Sequence, residues 1–325
     1  MEKRQQLRQQ LQKSIIITLL LLTGLCSTSI AAGEEEHRLT VALLPLPDVL
    51  PVYVALENGY FSSEGITVQP LSVGSAVERD QLLQAGKIDA MINEISGAAL
   101  FNRNSVQMQI VSYARIPEEG VPLFRLLASP ESGITKVADL AGVPIGVSKN
   151  TVIEYVTEKM LIRGGLAAEQ IVSRSVPVLP ERLQLLLSGQ LKAATLPEPL
   201  ASSALHAGAV EVINDLALPG LSASVVSFSR QAIEKKSGAV RQFMKAWDRA
   251  AADLNATPEN YRALMLKKIR VPKNVQDSYP IPRFPRGKNV TREQWHDTVA
   301  WLLEKKLLKK TVSFDDAVSM DFLPR

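Results

Sequence analysis

Two ten-residue stretches decide the fold: QLLQAGKIDA at Gln81–Ala90 and QLLLSGQLKA at Gln184–Ala193, 103 positions apart. Five of the ten positions are identical and two more are conservative. Upstream, Gly59, Glu64 and Ile66 align with Gly164, Glu169 and Ile171 at a spacing of 105, so the two-residue slip falls in a loop. A repeat of about a hundred residues is far longer than a solenoid unit. It predicts two similar lobes.

Around these stretches the chain alternates strand and helix patterns. Leu39–Leu44 is a short apolar run of the buried-strand kind, and Val52–Leu56 opens a helix that Gly59 ends. Ile66–Val73 and Ile88–Ile92 read as further strands, with a helix over Glu78–Gln84 between them. Pro144–Val147 and Ile153–Ile162 take the same places in the second series. Such alternation predicts α/β lobes, each a mostly parallel sheet flanked by helices. Two linker strands, Leu123–Ala128 and Ser224–Ser229, are expected to form the hinge. The expected division is lobe one over 38–126 plus 225–325, with lobe two over 127–224 inserted in it. Helical patterns follow over Ala239–Leu254, Tyr261–Ile269 and Glu293–Leu308, and a Pro- and Arg-rich stretch between the last two reads as a long loop.

The start of the chain has a different grammar. Lys3, Arg4, Arg8 and Lys13 precede an apolar run from Ile15 to Cys26, followed by small residues and then Glu34–Glu36. That order is expected of a cleavable export signal over residues 1–32. The run is shorter than the roughly 20 residues that span a bilayer. Leu25 is bulky where a lipidated cysteine is preceded by a small residue, so Cys26 is not expected to carry lipid. The whole chain has 37 Lys+Arg against 33 Asp+Glu. Beyond residue 32 the counts are 33 and 32, a net of +1. The basic excess belongs to the signal, and no basic stripe with interleaved aromatics remains for nucleic acid. The single cysteine lies in the signal too. An exported chain without disulfides fits a periplasm.

Several segments resemble one family. They are ALENGYFSSEGITVQP (Ala55–Pro70), AGKIDAMIN (Ala85–Asn93), DLAGVPIGV (Asp139–Val147), TLPEPLASSAL (Thr195–Leu205) and SGAVRQFMKAWDRAAADLNATPEN (Ser237–Asn260). In this order and spacing they are similar to the periplasmic solute-binding proteins of ABC importers. The group is the nitrate, sulfonate and taurine one, which includes the thiamine-pyrimidine binders. The resemblance covers about residues 38–325. It implies the two-lobed periplasmic binding protein fold of type II topology, closing on one small molecule. It also implies a monomer that delivers its ligand to a membrane permease, without cofactor or metal.

Ligands of α/β lobes bind beyond the carboxyl ends of the strands and at helix N-termini. In lobe one this picks out Asp48 and Tyr53, then Gly74 and Ser75, then Asn93 and Glu94. Asp48 equally suits a helix cap, Tyr53 the core, and Ser75 an N-cap. In lobe two it picks out Ser148, Asn150, Thr151 and Glu154 in VSKNTVIEY, and Glu198 in LPEP. Glu154 also fits a solvated helix face. Glu198 leads the set, because the prolines on both sides restrict its backbone. Tyr279 and Phe284 of the Pro-rich stretch are candidates to close over the cleft mouth. Several carboxylates lining one cleft would call for an amine-bearing, zwitterionic or pyrimidine-like ligand. Helix N-termini leave a sulfonate or other organic anion open.

Catalysis finds no motif. His37, His206 and His296 fit no metal spacing, the serines have no G-x-S-x-G setting, and no phosphate loop is present. A binding protein for uptake is therefore expected. The competing readings are an enzyme on the same fold, of the pyrimidine-synthase or chorismate-dehydratase kind, and an exported sensor. The pyrimidine synthases are associated with a cysteine-rich motif, which residues 33–325 lack.

Overall fold

The computed structural model describes residues 36–218 and 220–324. The expected export signal and Cys26 lie outside the described residues. Ten strands follow in chain order: β1 (Arg38–Leu43), β2 (Thr67–Ser72), β3 (Ala90–Glu94), β4 (Met108–Arg115), β5 (Phe124–Ala128), β6 (Pro144–Val147), β7 (Val172–Ser175), β8 (Ala193–Pro197), β9 (Val210–Asn214) and β10 (Ser224–Ser229). They form two five-stranded sheets of the same plan, β2-β1-β3-β10-β4 and β7-β6-β8-β5-β9. The fold is the two-lobed α/β architecture.

The sheets are mixed, where mostly parallel ones were expected. β1 and β3 pair in parallel, as do β6 with β7 and β6 with β8. The linker strands run the other way. β10 is antiparallel to both β3 and β4, and β5 to both β8 and β9. Each linker strand arrives from the other lobe and so meets its sheet from the opposite end. Both are full members of a sheet, in the fourth position of each plan. The chain crosses between the sheets before Phe124 and before Ser224, so the expected boundary at 126/127 falls inside β5.

Local chemistry explains the repeated turn. Gly86 and Gly189 both have positive φ, 65° and 74°. Each closes a helix and sends the chain into the third strand of its plan, a conformation that costs a side-chain-bearing residue about 1–2 kcal/mol. Helix starts are capped by side chains: Ser75 accepts from the Glu78 amide, and Thr151 from the Ile153 amide.

The helix Ser237–Ala256 packs on lobe one through Val240, Phe243, Trp247 and Leu254, spaced to fall on one face. Phe243 stacks on Phe61 at 5.0 Å and meets Phe228 edge-on at 5.3 Å. Burying each such side chain contributes roughly 1.5–3 kcal/mol. A different apolar cluster joins both lobes. It runs from Ile95 and Ala98 through Tyr155 and Val156 to Trp301 and Leu302. The last two belong to the helix Arg292–Glu304, which bonds to lobe two. The Tyr155 hydroxyl donates to Asp297 at 2.7 Å, and the Trp301 indole donates to Glu158 at 2.8 Å.

The Pro-rich stretch is largely irregular, as expected, with one short turn at Lys273–Val275. That turn touches lobe two, where the Ser203 hydroxyl donates to Asn274 and the Asn274 amide returns a bond to the Ser203 carbonyl. The segment beyond it covers the outer edge of β4. The Tyr113 amide donates to the Lys288 carbonyl and the Ser319 amide to the Ile110 carbonyl. An exposed strand edge is thereby closed to other chains. Among the described residues no helix is long and apolar enough to cross a membrane.

Candidate functional site

The carboxyl ends of the parallel strands place polar loops from both lobes near one another. Asp48 follows β1, Glu94 ends β3, and Glu198 follows β8. Arg115, at the end of β4, feels both Asp48 in lobe one and Glu198 in lobe two. Tyr279 completes the group, with Arg115, Glu198 and Asp48 all acting on its phenol. These side chains bridge the two sheets.

Every carboxylate among the sequence candidates has a cation beside it. Asp48 lies 3.3 Å from Arg115, Glu94 lies 3.6 Å from Arg79, and Glu198 lies 2.6 Å from Arg125. Glu154 lies 3.9 Å from Lys305. Arg125 also pairs with Glu211. Glu198 is further held by Ser202, whose hydroxyl donates at 2.6 Å and whose amide donates at 3.1 Å. Burial raises the Glu94 carboxyl above the usual range; Arg79 opposes this, and the Asp80 and Asp48 charges add to it. Burial works against the Arg115 charge, but Tyr279, Asp48 and Glu198 outweigh it and hold the guanidinium protonated. Each candidate carboxylate therefore has a basic partner, while Arg79, Arg125 and Lys305 are each shared with a second carboxylate, Asp80, Glu211 and Glu158. The need for a cationic ligand, argued from unpaired carboxylates, has no support in this geometry.

The remaining candidates occupy varied settings. Tyr53 sits in the outer core of lobe one, with the Lys268 ammonium 5.0 Å from its ring centre. The Gly74 amide donates to Glu78 at 2.7 Å, and Ser75 caps the same helix. Asn93 is buried, accepting from the Ser227 hydroxyl at 2.7 Å. Ser148 accepts from Arg182, and Thr151 donates back to the Ser148 carbonyl at 2.7 Å. Asn150 has positive φ, 62°, and its amide donates to Glu154 at 2.6 Å. Asp48, Glu94 and Glu198 thus gather around the interlobe cluster. Gly74, Ser75, Asn150 and Thr151 build the turns at helix starts. Phe284 is fastened in the outer core by the Asn255 side chain, which donates to its carbonyl and accepts from its amide, while Tyr279 reaches the cluster.

With this geometry in place the relatives can be compared. A family model described as NMT1/THI5 like matches residues 46–261. The chain belongs to the NMT1/THI5-like family. A formylaminopyrimidine-binding protein of Halalkalibacterium halodurans is 27% identical to it over 161 residues, 49% of this chain and 47% of that protein. The match thus spans about half the length of that curated relative. The periplasmic aliphatic sulphonate binding protein SsuA of Escherichia coli superposes with a TM-score of 0.73 at 18% identity, over 87% of this chain and 92% of that one. The periplasmic nitrate-binding protein NrtA of Synechocystis PCC 6803 gives 0.68 at 11%, over 88% and 87%. At these identities the solved structures show a common fold.

Within this NMT1/THI5-like chain, sequence reasoning missed Arg79, Arg115 and Arg125. Arg115 and Arg125 meet their carboxylates across long stretches of chain, 67 residues to Asp48 and 73 to Glu198. One signal was available for Arg79. It lies two residues before the repeated stretch, and Arg182 occupies the same place in the second copy.

Proposed function

We propose that this chain is the solute-binding component of an ABC importer. It takes up a neutral, hydrogen-bonding heterocycle of the aminopyrimidine type between its lobes and hands it to a membrane permease. Residues 1–32 act as the export signal that brings the remaining chain to the periplasm, where it works as a monomer without a cofactor. Binding rather than turnover is its role.

The observation that carries this reading is the internal matching of every candidate carboxylate by Arg79, Arg115, Arg125 or Lys305. A ligand with a full charge of either sign would displace one of these partners and leave a buried ion uncompensated. A neutral ring with amino and carbonyl groups needs only hydrogen bonds. The formylaminopyrimidine-binding relative supports the same class.

A thermal-shift series tests it. Aminopyrimidines, alkanesulfonates, amines and nitrate are added to the protein, each over a wide concentration range. A true ligand at 100 times its Kd stabilises the fold by about 2.7 kcal/mol. The expected result is a shift with an aminopyrimidine and none with nitrate or simple amines. A shift with sulfonate or nitrate alone would overturn the reading.

A further inference from the structure

We propose that Arg115, Ser224 and Tyr279 form a donor wall of the ligand site that reads a neutral carbonyl oxygen on the ligand. The proposal rests on the ligand-binding reading above and names the chemical group that the site recognises.

The wall follows from strand register. Ser224 of β10 stands opposite Glu94 of β3 on one side and Arg115 of β4 on the other. The three residues form a row across the sheet at the carboxyl end of β3, where α/β ligands bind. Tyr279, from the Pro-rich stretch and 2% exposed, comes to the Arg115 end of this row.

Counting donors gives the ligand's group. Arg115 uses one terminal nitrogen on Asp48 and the other on the Pro122 carbonyl at 3.1 Å. The Arg115 Nε and the Ser224 and Tyr279 hydroxyls have no hydrogen-bond partner of good geometry among the described residues, the Arg115 guanidinium lying beside the Tyr279 phenol oxygen as no more than a weak donor to it. Arg115, Ser224 and Tyr279 are all more than nine-tenths buried. Buried donors without acceptors are costly, so native structures keep them for a purpose. None of these three groups, the Nε and the two hydroxyls, makes a hydrogen bond to Asp48 or Glu198.

Charge narrows the choice further. Asp48 and Glu198 act on both Arg115 and Tyr279, so a second anion would meet two carboxylates. A cation would meet Arg115. A neutral carbonyl oxygen satisfies the donors without adding charge.

Calorimetric titration tests the wall with three probes: a formylated aminopyrimidine, the same aminopyrimidine without its formyl group, and an alkanesulfonate. The variants are Tyr279→Phe and Ser224→Ala, which remove a hydroxyl and leave the packing. Each is expected to weaken the formylated probe by roughly tenfold and the unformylated probe by less than about twofold. The melting temperature of the free protein stays level or rises, since an unpartnered hydroxyl has gone. Equal loss on both pyrimidines, or no loss on either, overturns the proposal. So does a lower melting temperature with affinity unchanged, which would give the hydroxyls to the fold. If only the sulfonate binds, the heterocycle reading fails, and the wall is judged on that probe's oxygens. Weaker sulfonate binding by both variants would leave the three donors in the site but overturn the neutral carbonyl as the group they read, and unchanged binding would remove them from the site. Binding of no probe overturns both.

Discussion

Arg79 of lobe one and Arg182 of lobe two perform the same task 103 residues apart. Arg79 donates to the Ile92 carbonyl at 2.9 Å, and Arg182 donates to the Thr195 carbonyl at 2.9 Å. The two acceptors are also 103 apart. Each arginine ties the helix before the glycine turn to the strand after it. Their charges are handled differently. Arg79 has Asp80 at 3.0 Å and Glu94 at 3.6 Å. The corresponding positions in lobe two are Leu183 and Pro197, and Arg182 instead donates to the Val176 carbonyl and the Ser148 hydroxyl. Burial pushes its pKa down to about 10. The brace is common to both lobes, while the compensating charges sit in lobe one alone. Duplicated lobes keep what the backbone needs and diverge in electrostatics.

Removing the brace from either lobe breaks this comparison most strongly. Arg79→Met leaves Glu94 and Asp80 without their cation and is expected to cost about 3–5 kcal/mol at pH 7. Arg182→Met leaves carbonyls without donors and is expected to cost about 2–3 kcal/mol. The two also differ with pH. Protonating Glu94 removes the stranded charge, so the Arg79→Met deficit shrinks on going from pH 7 to pH 5. The Arg182→Met deficit does not change over that range. Urea unfolding at the two pH values measures both, and equal pH responses would mean that the carboxylates do not define the difference.

The crossing points give a second contrast. Asp215, fully buried, accepts from the Leu123 and Phe124 amides where the chain enters β5. Burial raises its pKa to about 6, against these bonds and the Arg115 charge. Its folded value lies above its unfolded one, so the fold favours the protonated form. Stability from this group is present below about pH 4 and is lost as pH rises through 6, by roughly 3 kcal/mol. Asp215→Asn is expected to flatten this part of the stability curve, read by unfolding at pH 4, 5, 6 and 7. An unchanged slope would assign it to other groups.

The smallest effect sharpens the repeat itself. Gly86→Ala and Gly189→Ala each place a side chain at positive φ and are expected to cost about 1 kcal/mol. Similar losses in the two variants, measured by thermal unfolding, confirm matched turns. A loss in only one lobe would show that the turns have diverged.

The repeat was legible because a glycine turn and an apolar run are local patterns, and β3 and β8 stand where the two stretches placed them. Strand direction was not legible for β5 and β10. A strand's neighbours are set by the route of the chain, which Leu123–Ala128 and Ser224–Ser229 do not encode by themselves. Glu198 was legible as a placed carboxylate between two prolines. Its partner Arg125, 73 residues away, was not. Tyr53 shows the limit of periodicity, since a helical pattern marks a buried face without saying whether that face meets the core or the cleft.

The position of β10 has a consequence for how the molecule assembles. The second sheet uses strands between residues 124 and 214, so it can be completed without any later part of the chain. The first sheet cannot. β3 ends at residue 94 and its neighbour β10 begins at residue 224, with the whole other lobe made in between. Until then the inner edges of β3 and β4 stay unpaired, and the cover from Lys288 and Ser319 comes later still. Non-local pairing of this kind is slow, and exposed edges invite wrong partners. The inserted lobe is built to fold early, and the lobe that holds both ends of the described chain is built to fold last.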